Sequence, residues 1–456
     1  MKIKRILCAA LCVCVILAAA VIPAGAKSCD CGQVIHIHTS GFGSALYYNY
    51  GTPEQEKAGI ARTDDLAHGI GQVFRGAGLS VWERSWDPLA AGLGEAAWGV
   101  LGHNALDANG RSIAPITSHW RINPEQNHRE NPEYNFNYDY RLDPFELADQ
   151  LNAFIETLCK KTGHSKVALT GASEGSVVGL TYIKQYGTKR LDTFIILNGA
   201  WQGLTLVGEL FTGKFQLSGP AITNFIANND DGSGHLRRGM KLLEWTHLLD
   251  FTKPLGKGVL RTMGDRIYED TLIPLYGLMP VIWAFVPHEY YPEARKLIAG
   301  NPEYAQLLAK ADRYQNQVQA RAGKLLKKAR ADGVKIAVIA SYGKHPFPFT
   351  QNCTFQSDGM IDTAYEAGGA TAAPIGKTLP PSDSKYRSHD GIFDAATCMF
   401  PDQTWFIKNS GHEDRPSHEL RQWIIHSKKQ PTVWDSPEWP QWLVKNSEGK
   451  AAPYTG

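Results

Sequence analysis

The sequence predicts an α/β protein: a mostly parallel central sheet with helices on both faces, interrupted by an inserted helical cap. Three observations carry this. A capped amphipathic helix, a strand, a tight glycine-flanked turn, a helix and another strand follow one another between residues 143 and 197. Short apolar strands recur at 34–38, 335–340 and 404–408. The stretch 201–332 breaks that alternation and reads as mainly helical.

The first strand, Val34-Ile35-His36-Ile37-His38, runs into the turn-rich loop Thr39-Ser40-Gly41-Phe42-Gly43-Ser44. A helix is expected from Asp64 to Ala77 and a short strand from Leu79 to Trp82, with residues 83–137 mostly loop. Asp143 then caps a helix, Pro144 takes its first position and Glu146 stands at capping-box spacing. Leu147, Leu151, Phe154, Ile155 and Leu158 give this helix one apolar face, and Gly163 stops it. Lys166 to Thr170 reads as a strand, Gly171 to Gly175 as a tight turn, Ser176 to Tyr186 as a helix and Thr193 to Leu197 as a strand. Leu307 to Ala331 is the longest helical candidate of the cap. Beyond it come the strand Lys335 to Ala340, the strand Thr404 to Lys408 and a last helix beginning near Ser417.

The N-terminus has the form of a secretory signal. Lys2, Lys4 and Arg5 precede the apolar run Ile6 to Ala20, and Ala24-Gly25-Ala26 supplies small residues before a cut near Lys27. The alternative, a retained membrane anchor, is disfavoured because the run is shorter than the roughly 20 residues a spanning helix needs. Cys8, Cys12 and Cys14 lie inside this segment, and none follows a lipobox-like run. The chain therefore divides into a signal peptide (1–26), a first core part (27–200), a cap or lid (201–332) and a second core part (333–456), and its expected location is extracellular or cell-surface. Apolar residues make up 43% and charged residues 20% of the 456, an ordinary globular balance. Without the three signal-peptide cations, 44 Lys and Arg face 45 Asp and Glu. There is no basic excess to neutralise phosphates, which excludes nucleic acid as a partner.

Five cysteines follow the expected cut: Cys29, Cys31, Cys159, Cys353 and Cys398. Cys353 and Cys398 share a late loop-rich stretch and form the candidate disulfide, whose loop closure would stabilise by about 4 kcal/mol. Cys159 ends an amphipathic helix and reads as a buried free thiol. Cys29 and Cys31 are too close to pair comfortably, and with no His or Cys cluster near them in sequence no metal site is expected.

Gly171-Ala172-Ser173-Glu174-Gly175 fits G-x-S-x-G between a strand and a helix. A serine in that strained turn stands clear of the sheet, and side chains two residues either way would collide, hence Gly171 and Gly175. The same turn aims the Glu174 N–H at a developing oxyanion, beside the positive end of a helix. Serine needs a base, and the base a third group to orient it. Asp358, on the turn Ser357-Asp358-Gly359, is the expected acid, with Asp362 as the alternative. His412, in Asn409-Ser410-Gly411-His412 directly after a strand, is the expected base, while His418 and His426 read as surface residues. The second oxyanion donor is expected at the N–H of Phe42. A nucleotide-binding reading of the Gly41-Phe42-Gly43 loop fails because Leu46 stands where a glycine is required. His36 and His38 share a strand face but have no evident third ligand, and neither His288-Glu289 nor His412-Glu413 continues into H-E-x-x-H. The set points to an α/β-hydrolase fold running acyl-transfer chemistry without a cofactor.

These residues resemble the lecithin:cholesterol acyltransferase family, with its lysosomal-type phospholipases A and phospholipid:diacylglycerol acyltransferases, patchily from about residue 34 to 425. Tyr138-Asp139-Tyr140-Arg141-Leu142-Asp143-Pro144 is similar to that family's Tyr-Asp-Trp-Arg segment ahead of the nucleophile helix. Gly199-Ala200-Trp201-Gln202-Gly203 resembles its Ala-Pro-Trp-x-Gly turn, and Gly277-Leu278-Met279-Pro280-Val281-Ile282-Trp283 a Met-Pro-Ser…Trp patch of its cap. Asp358 and His412 sit where the family keeps its acid and base. The chain departs from the family's Gly-His-Ser-x-Gly-Gly at Ala172 and Ser176, and Glu174 adds a carboxylate beside the nucleophile. The resemblance implies a lipid ester substrate, released by hydrolysis or transferred to an alcohol.

Thr271 to Pro287 contains no charged residue, and Pro274, Pro280 and Pro287 bar a regular spanning helix. It reads either as cap core or as an apolar lid over an acyl-chain pocket that opens at a lipid surface. Trp82, Trp86 and Trp98 would add an interfacial rim. The expected partner is thus a lipid or other ester, with transient membrane contact through the cap. A non-lipid esterase or peptidase and an inactive binding module are the competing classes, and the sequence does not determine the oligomeric state.

Overall fold

In the computed structural model the described residues are 29–39, 41–59, 66–83, 85, 87–214, 268–348, 350–351 and 353–456. The expected signal peptide, Trp86 and the cap between 215 and 267 lie outside them.

Among the described residues a sheet of eight strands is formed: β1 (His36–Thr39), β2 (Glu133–Phe136), β3 (Val167–Ala172), β4 (Leu191–Leu197), β5 (Lys335–Tyr342), β6 (Thr404–Lys408), β7 (Trp442–Lys445) and β8 (Ala451–Pro453). Their spatial order is β8-β7-β6-β5-β4-β3-β1-β2. All neighbouring strands are parallel except β7 and β8. Alternate side chains of one strand pack into different layers, as a sheet covered on both faces requires. Val167 and Leu169 share one core cluster with Leu147, Leu151, Phe154, Val177 and Leu326, whereas Ala168, Ile195 and Ile339 belong to another with Leu420, Ile424 and Ile425.

Helices α1 (Leu66–Glu83) and α2 (Asp87–Leu101) lie ahead of β2 and pack along one another. They correct one expectation, since Leu79 to Trp82 is helical rather than a strand; within 83–137 the helix α2 stands out, and the chain from there to β2 is largely loop, as expected. A short apolar run is equally compatible with either structure, and the alanines of α2 favour helix. A three-stranded antiparallel ribbon, Leu46–Tyr48, Glu56–Ala58 and Ile116–Thr117, flanks them.

Helix α3 (Pro144–Thr162) begins as expected. The Asp143 side chain accepts from Phe145 N, and Gly163 ends the helix in a left-handed conformation at φ 74°. Helix α4 (Glu174–Tyr186) starts two residues earlier than expected, directly at the turn. In the cap region α5 (Thr205–Leu210) follows β4. The expected long helix is divided into α6 (Ala305–Gln317) and α7 (Ala322–Ala331) by a 3₁₀ turn, Gln319–Arg321. Buried amides hold this break in place. Gln315 donates to Trp283 O and Val286 O, and Gln319 to Ala284 O, so the carbonyls of the proline-broken segment find their partners there. Most of that uncharged segment is core, with Leu272, Ile273, Leu275, Met279, Val281, Ile282, Trp283 and Phe285 all buried. The last helix, α8 (His418–His426), begins right after Ser417, and β7 and β8 beyond it were not expected. Among the described residues no helix is long and apolar enough to cross a membrane.

The candidate Cys353–Cys398 disulfide is not formed, which corrects that expectation. All five described cysteines are free thiols. The Cys353 thiol turns back onto Thr350 O at 3.2 Å, whereas Cys398 is buried against Phe393, Phe406 and Trp442. Cys159 is the expected buried thiol.

Candidate active site

Parallel strands end on the same edge of a sheet, so residues just past β1, β3, β5 and β6 converge there although they lie far apart in sequence. Ser173 follows β3 and sits at φ 52°, ψ −123°, a conformation costing a non-glycine residue of order 1–3 kcal/mol. The turn is over-determined by its hydrogen bonds. Ser173 N donates to Leu197 O, and its carbonyl accepts from Ser176 N, Ser176 Oγ and Ala200 N. Gly171 has the packing role expected of it, because a Cβ there would lie 2.8 Å from Gly175 O and Ser176 Cα. Ser176, where the resembled family has glycine, serves the turn through its hydroxyl.

His412 presents Nε2 to Ser173 Oγ at 3.0 Å, and its Nδ1 lies 2.5 Å from Asp358 Oδ2. The loop bearing it leaves β6 through Asn409, which is left-handed at φ 59°. His412 N donates to Asp358 O at 2.9 Å, so backbone as well as side chain ties base to acid. The other carboxylate oxygen of Asp358 accepts from Met360 N at 2.8 Å and Ile361 N at 2.7 Å. Burial alone would raise the Asp358 carboxyl. The His412 charge and the hydrogen bonds from His412, Glu366 and Ile361 outweigh it and hold the group below the usual carboxylate range. Burial works against the His412 imidazolium too, but the Asp358 carboxylate overcomes it and raises the imidazole above its ordinary value.

Asp362, the alternative acid, belongs to a different task. Its two oxygens accept from Thr205 N and Thr205 Oγ1, at 2.9 and 2.6 Å, and so hold the start of α5. Burial raises its carboxyl to about 6.

The loop after β1 lies directly against Ser173: a Cβ on Gly41 would be 3.2 Å from Ser173 Cβ. Phe42 follows, its ring edge-on to Tyr140 and to Phe285 of the cap, with centroids 4.7 and 5.7 Å away. The N–H of Glu174, at the first residue of α4, is one of the four that a helix leaves without an intrahelical partner. Glu174 thus adjoins Ser173 in the chain, and Phe42 follows the glycine packed against it. Tyr140 is seated by the buried Asp139–Arg141 pair, whose guanidinium also donates to Asn104 O, Ser112 Oγ and Ile116 O.

Two buried acids of the site carry further information. The Glu174 side chain is fully buried and neither oxygen has a partner, so burial, reinforced by Asp139, raises its carboxyl well above the ordinary range. Glu366, which sequence reasoning missed, accepts from Ser341 N at 2.8 Å and meets Asp358. Burial and the Asp358 charge raise its carboxyl well above the ordinary range as well. Its backbone carbonyl receives the indole N–H of Trp201 at 3.0 Å, which gives the Gly199–Gly203 turn a part in placing the acid segment. A buried Glu eight residues after Asp358 carries no motif, and the sequence holds no signal for it.

His36 and His38, on β1, are packed side chains, as expected. His36 Nε2 meets Thr170 Oγ1 at 2.8 Å, and His38 Nδ1 meets the Arg421 guanidinium at 3.1 Å. Glu133 completes a three-residue group with them, its carboxylate 3.7 Å from His36 Nδ1 and 3.5 Å from His38 Nε2, while the guanidinium lies on the other nitrogen of His38. His418 and His426 are exposed. The fold brings His128 and His164 to the Cys29 and Cys31 thiols, a cluster that the sequence around the two cysteines does not show. No protein-family model matches this chain, and no curated protein matches it.

Proposed function

We propose that the chain is an exported serine hydrolase or acyltransferase of the α/β-hydrolase fold, acting on lipid ester bonds through an acyl-enzyme on Ser173. The observation that carries this reading is the unbroken hydrogen-bond chain from Ser173 Oγ through both nitrogens of His412 to Asp358. His412 Nε2 takes the hydroxyl proton as Oγ attacks the ester carbonyl, and Asp358 stabilises the imidazolium formed. The N–H groups of Phe42 and Glu174 receive the oxyanion. His412 then gives its proton to the departing alkoxide, and the acyl group passes to water or to an alcohol by the same steps in reverse. The lipid assignment is supported by the aromatic wall of Phe42, Tyr140 and Phe285, by the apolar cap segment above it and by the resemblance to lecithin:cholesterol acyltransferases.

A non-lipid carboxylesterase or peptidase is the second reading. It is favoured by the burial of the 271–287 segment, most of whose apolar side chains pack in the core rather than forming a surface for lipid. The test is labelling of the mature protein with a fluorophosphonate, beside Ser173→Ala, with medium-chain ester hydrolysis and vesicle binding followed in parallel. Label and turnover that both vanish in the variant support the serine mechanism, and turnover without vesicle binding moves the substrate to soluble esters. A wild-type protein that takes no label and cleaves nothing refutes the enzyme reading and leaves a lipid- or partner-binding module.

A further inference from the structure

The opposite edge of the sheet carries a second constellation. Cys29 and Cys31 precede β1, His128 precedes β2 and His164 precedes β3, so three adjacent parallel strands begin beside one another at these residues. Cys29 Sγ lies 3.3 Å from His128 Nε2, and Cys31 Sγ lies 3.5 Å from His164 Nε2. The two imidazoles stand nearly perpendicular, at 87°, with centroids 5.3 Å apart. Cys29, His128 and His164 each bring a ligand atom within 4.8 Å of the others, and Cys31 stands outside that group, reaching it through His164. The backbone holds the thiol segment in place through Cys29 N, which donates to Gly163 O at 3.1 Å. Asp30, between the thiols, pairs instead with Arg129 at 3.3 Å. His164 Nε2 also lies 3.2 Å from Gln33 O.

The geometry points to a tetrahedral Cys₂His₂ site for zinc, made by Cys29, Cys31, His128 and His164. Zinc–sulfur bonds of about 2.3 Å and zinc–nitrogen bonds of about 2.0–2.1 Å place neighbouring ligand atoms of a tetrahedron roughly 3.3–3.8 Å apart. The two sulfur–nitrogen separations already have that length. Two thiolates and two imidazoles balance a divalent ion and suit a borderline-soft one, while hard cations prefer oxygen. Four protein ligands leave no position for substrate, so the ion is structural. It clamps the first residues after the expected signal cleavage to the loop before β2 and to the turn between α3 and β3. Metal binding would release the thiol protons, and Gln33 O would give up the His164 N–H.

The test uses the full mature chain, purified reduced and with thiols protected from air. Expected results are one zinc per chain by mass spectrometry of the metal, and its loss in Cys31→Ser and in His128→Ala. Replacement by Co²⁺ should give the intense visible bands of a tetrahedral thiolate complex. Chelation should lower the melting temperature by several degrees, and fluorophosphonate labelling of Ser173 at low temperature should persist after it. The wild-type cobalt titration decides the matter if a variant fails to fold. A reduced wild-type chain that binds neither metal overturns the site. So does a Cys29–Cys31 disulfide, seen as loss of two hydrogens in mass, that forms equally with excess zinc present.

Discussion

A carboxyl oxygen of the buried Glu366 lies within 4.8 Å of the carboxylate of Asp358, so the acid beside His412 has a second buried acid packed against it, whose carboxyl burial raises well above the ordinary range. Glu366 is fixed from its other side by Ser341 N at the end of β5. It touches no reacting atom and is a positioning residue. Glu366→Gln keeps a side chain able to donate beside Asp358 and should retain kcat/KM within several-fold. Glu366→Ala removes that side chain, at a cost of about 1.5–3 kcal/mol, on the order of 10–100-fold. The decisive readout is the pH profile. Without it, both Asp358 and His412 protonate more readily, so the acid limb of kcat/KM should move to higher pH in the Ala variant alone. An unshifted limb would reduce Glu366 to packing.

The pH dependence of the wild-type protein follows from the same pair. His412 must be neutral to accept the Ser173 proton, and Asp358 raises its pKa above the ordinary histidine value. The acid limb of kcat/KM should therefore have its midpoint above pH 6.5. As a group whose folded pKa is raised, His412 contributes stability that is complete below the unfolded value and is lost as pH rises through the folded one. A limb centred below 6.5 contradicts the Asp358–His412 coupling.

Asp358 and Asp362 are separated by direct substitution. Asp358→Asn should lower kcat on the order of 10⁴-fold with the fold intact, because the amide cannot stabilise the imidazolium and favours the wrong tautomer. Asp362→Asn should leave the triad working while loosening the hold on Thr205, read as a lower melting temperature with kcat largely retained. The reverse ranking would exchange the two assignments.

Glu174 predicts a pH-dependent stability. Its folded carboxyl is raised well above 4.5, so its contribution is complete below the unfolded pKa and is lost as pH rises towards the folded one. Across that interval wild type loses up to about 1.4 kcal/mol per pH unit relative to Glu174→Gln. Denaturant unfolding of both proteins between pH 4 and 9 checks this, and parallel stability curves would show that the buried acid is not held neutral.

Gly171→Ala should misplace the nucleophile, because the new methyl meets backbone, Gly175 O and Ser176 Cα at 2.8 Å, rather than a yielding side-chain end. A loss of about 1–3 kcal/mol in stability is expected, with fluorophosphonate labelling slowed more than unfolding alone explains. Wild-type labelling rates would mean that the turn tolerates the methyl.

Local chemistry made much of this protein legible before folding is considered. The cap of α3 at Asp143, its stop at Gly163 and the nucleophile turn at Gly171–Gly175 depend on residues a few positions apart, whose backbone demands show in the sequence. Strand ends marked where Asp358 and His412 would be delivered, since a parallel sheet sends its chain ends to one edge. Weak local signals failed where packing decided. The run at Leu79–Trp82 is compatible with strand or helix and became helix against α2. The expected Cys353–Cys398 bond required a proximity that loop composition does not determine. Tertiary structure alone set Glu366 against Asp358, divided the long cap helix through Gln315 and Gln319, and brought His128 and His164 to Cys29 and Cys31. In each case the partners are tens of residues or more apart, or eight residues apart without a motif, and only packing makes them neighbours; for the cysteines and histidines it is the strand order of the sheet that does so.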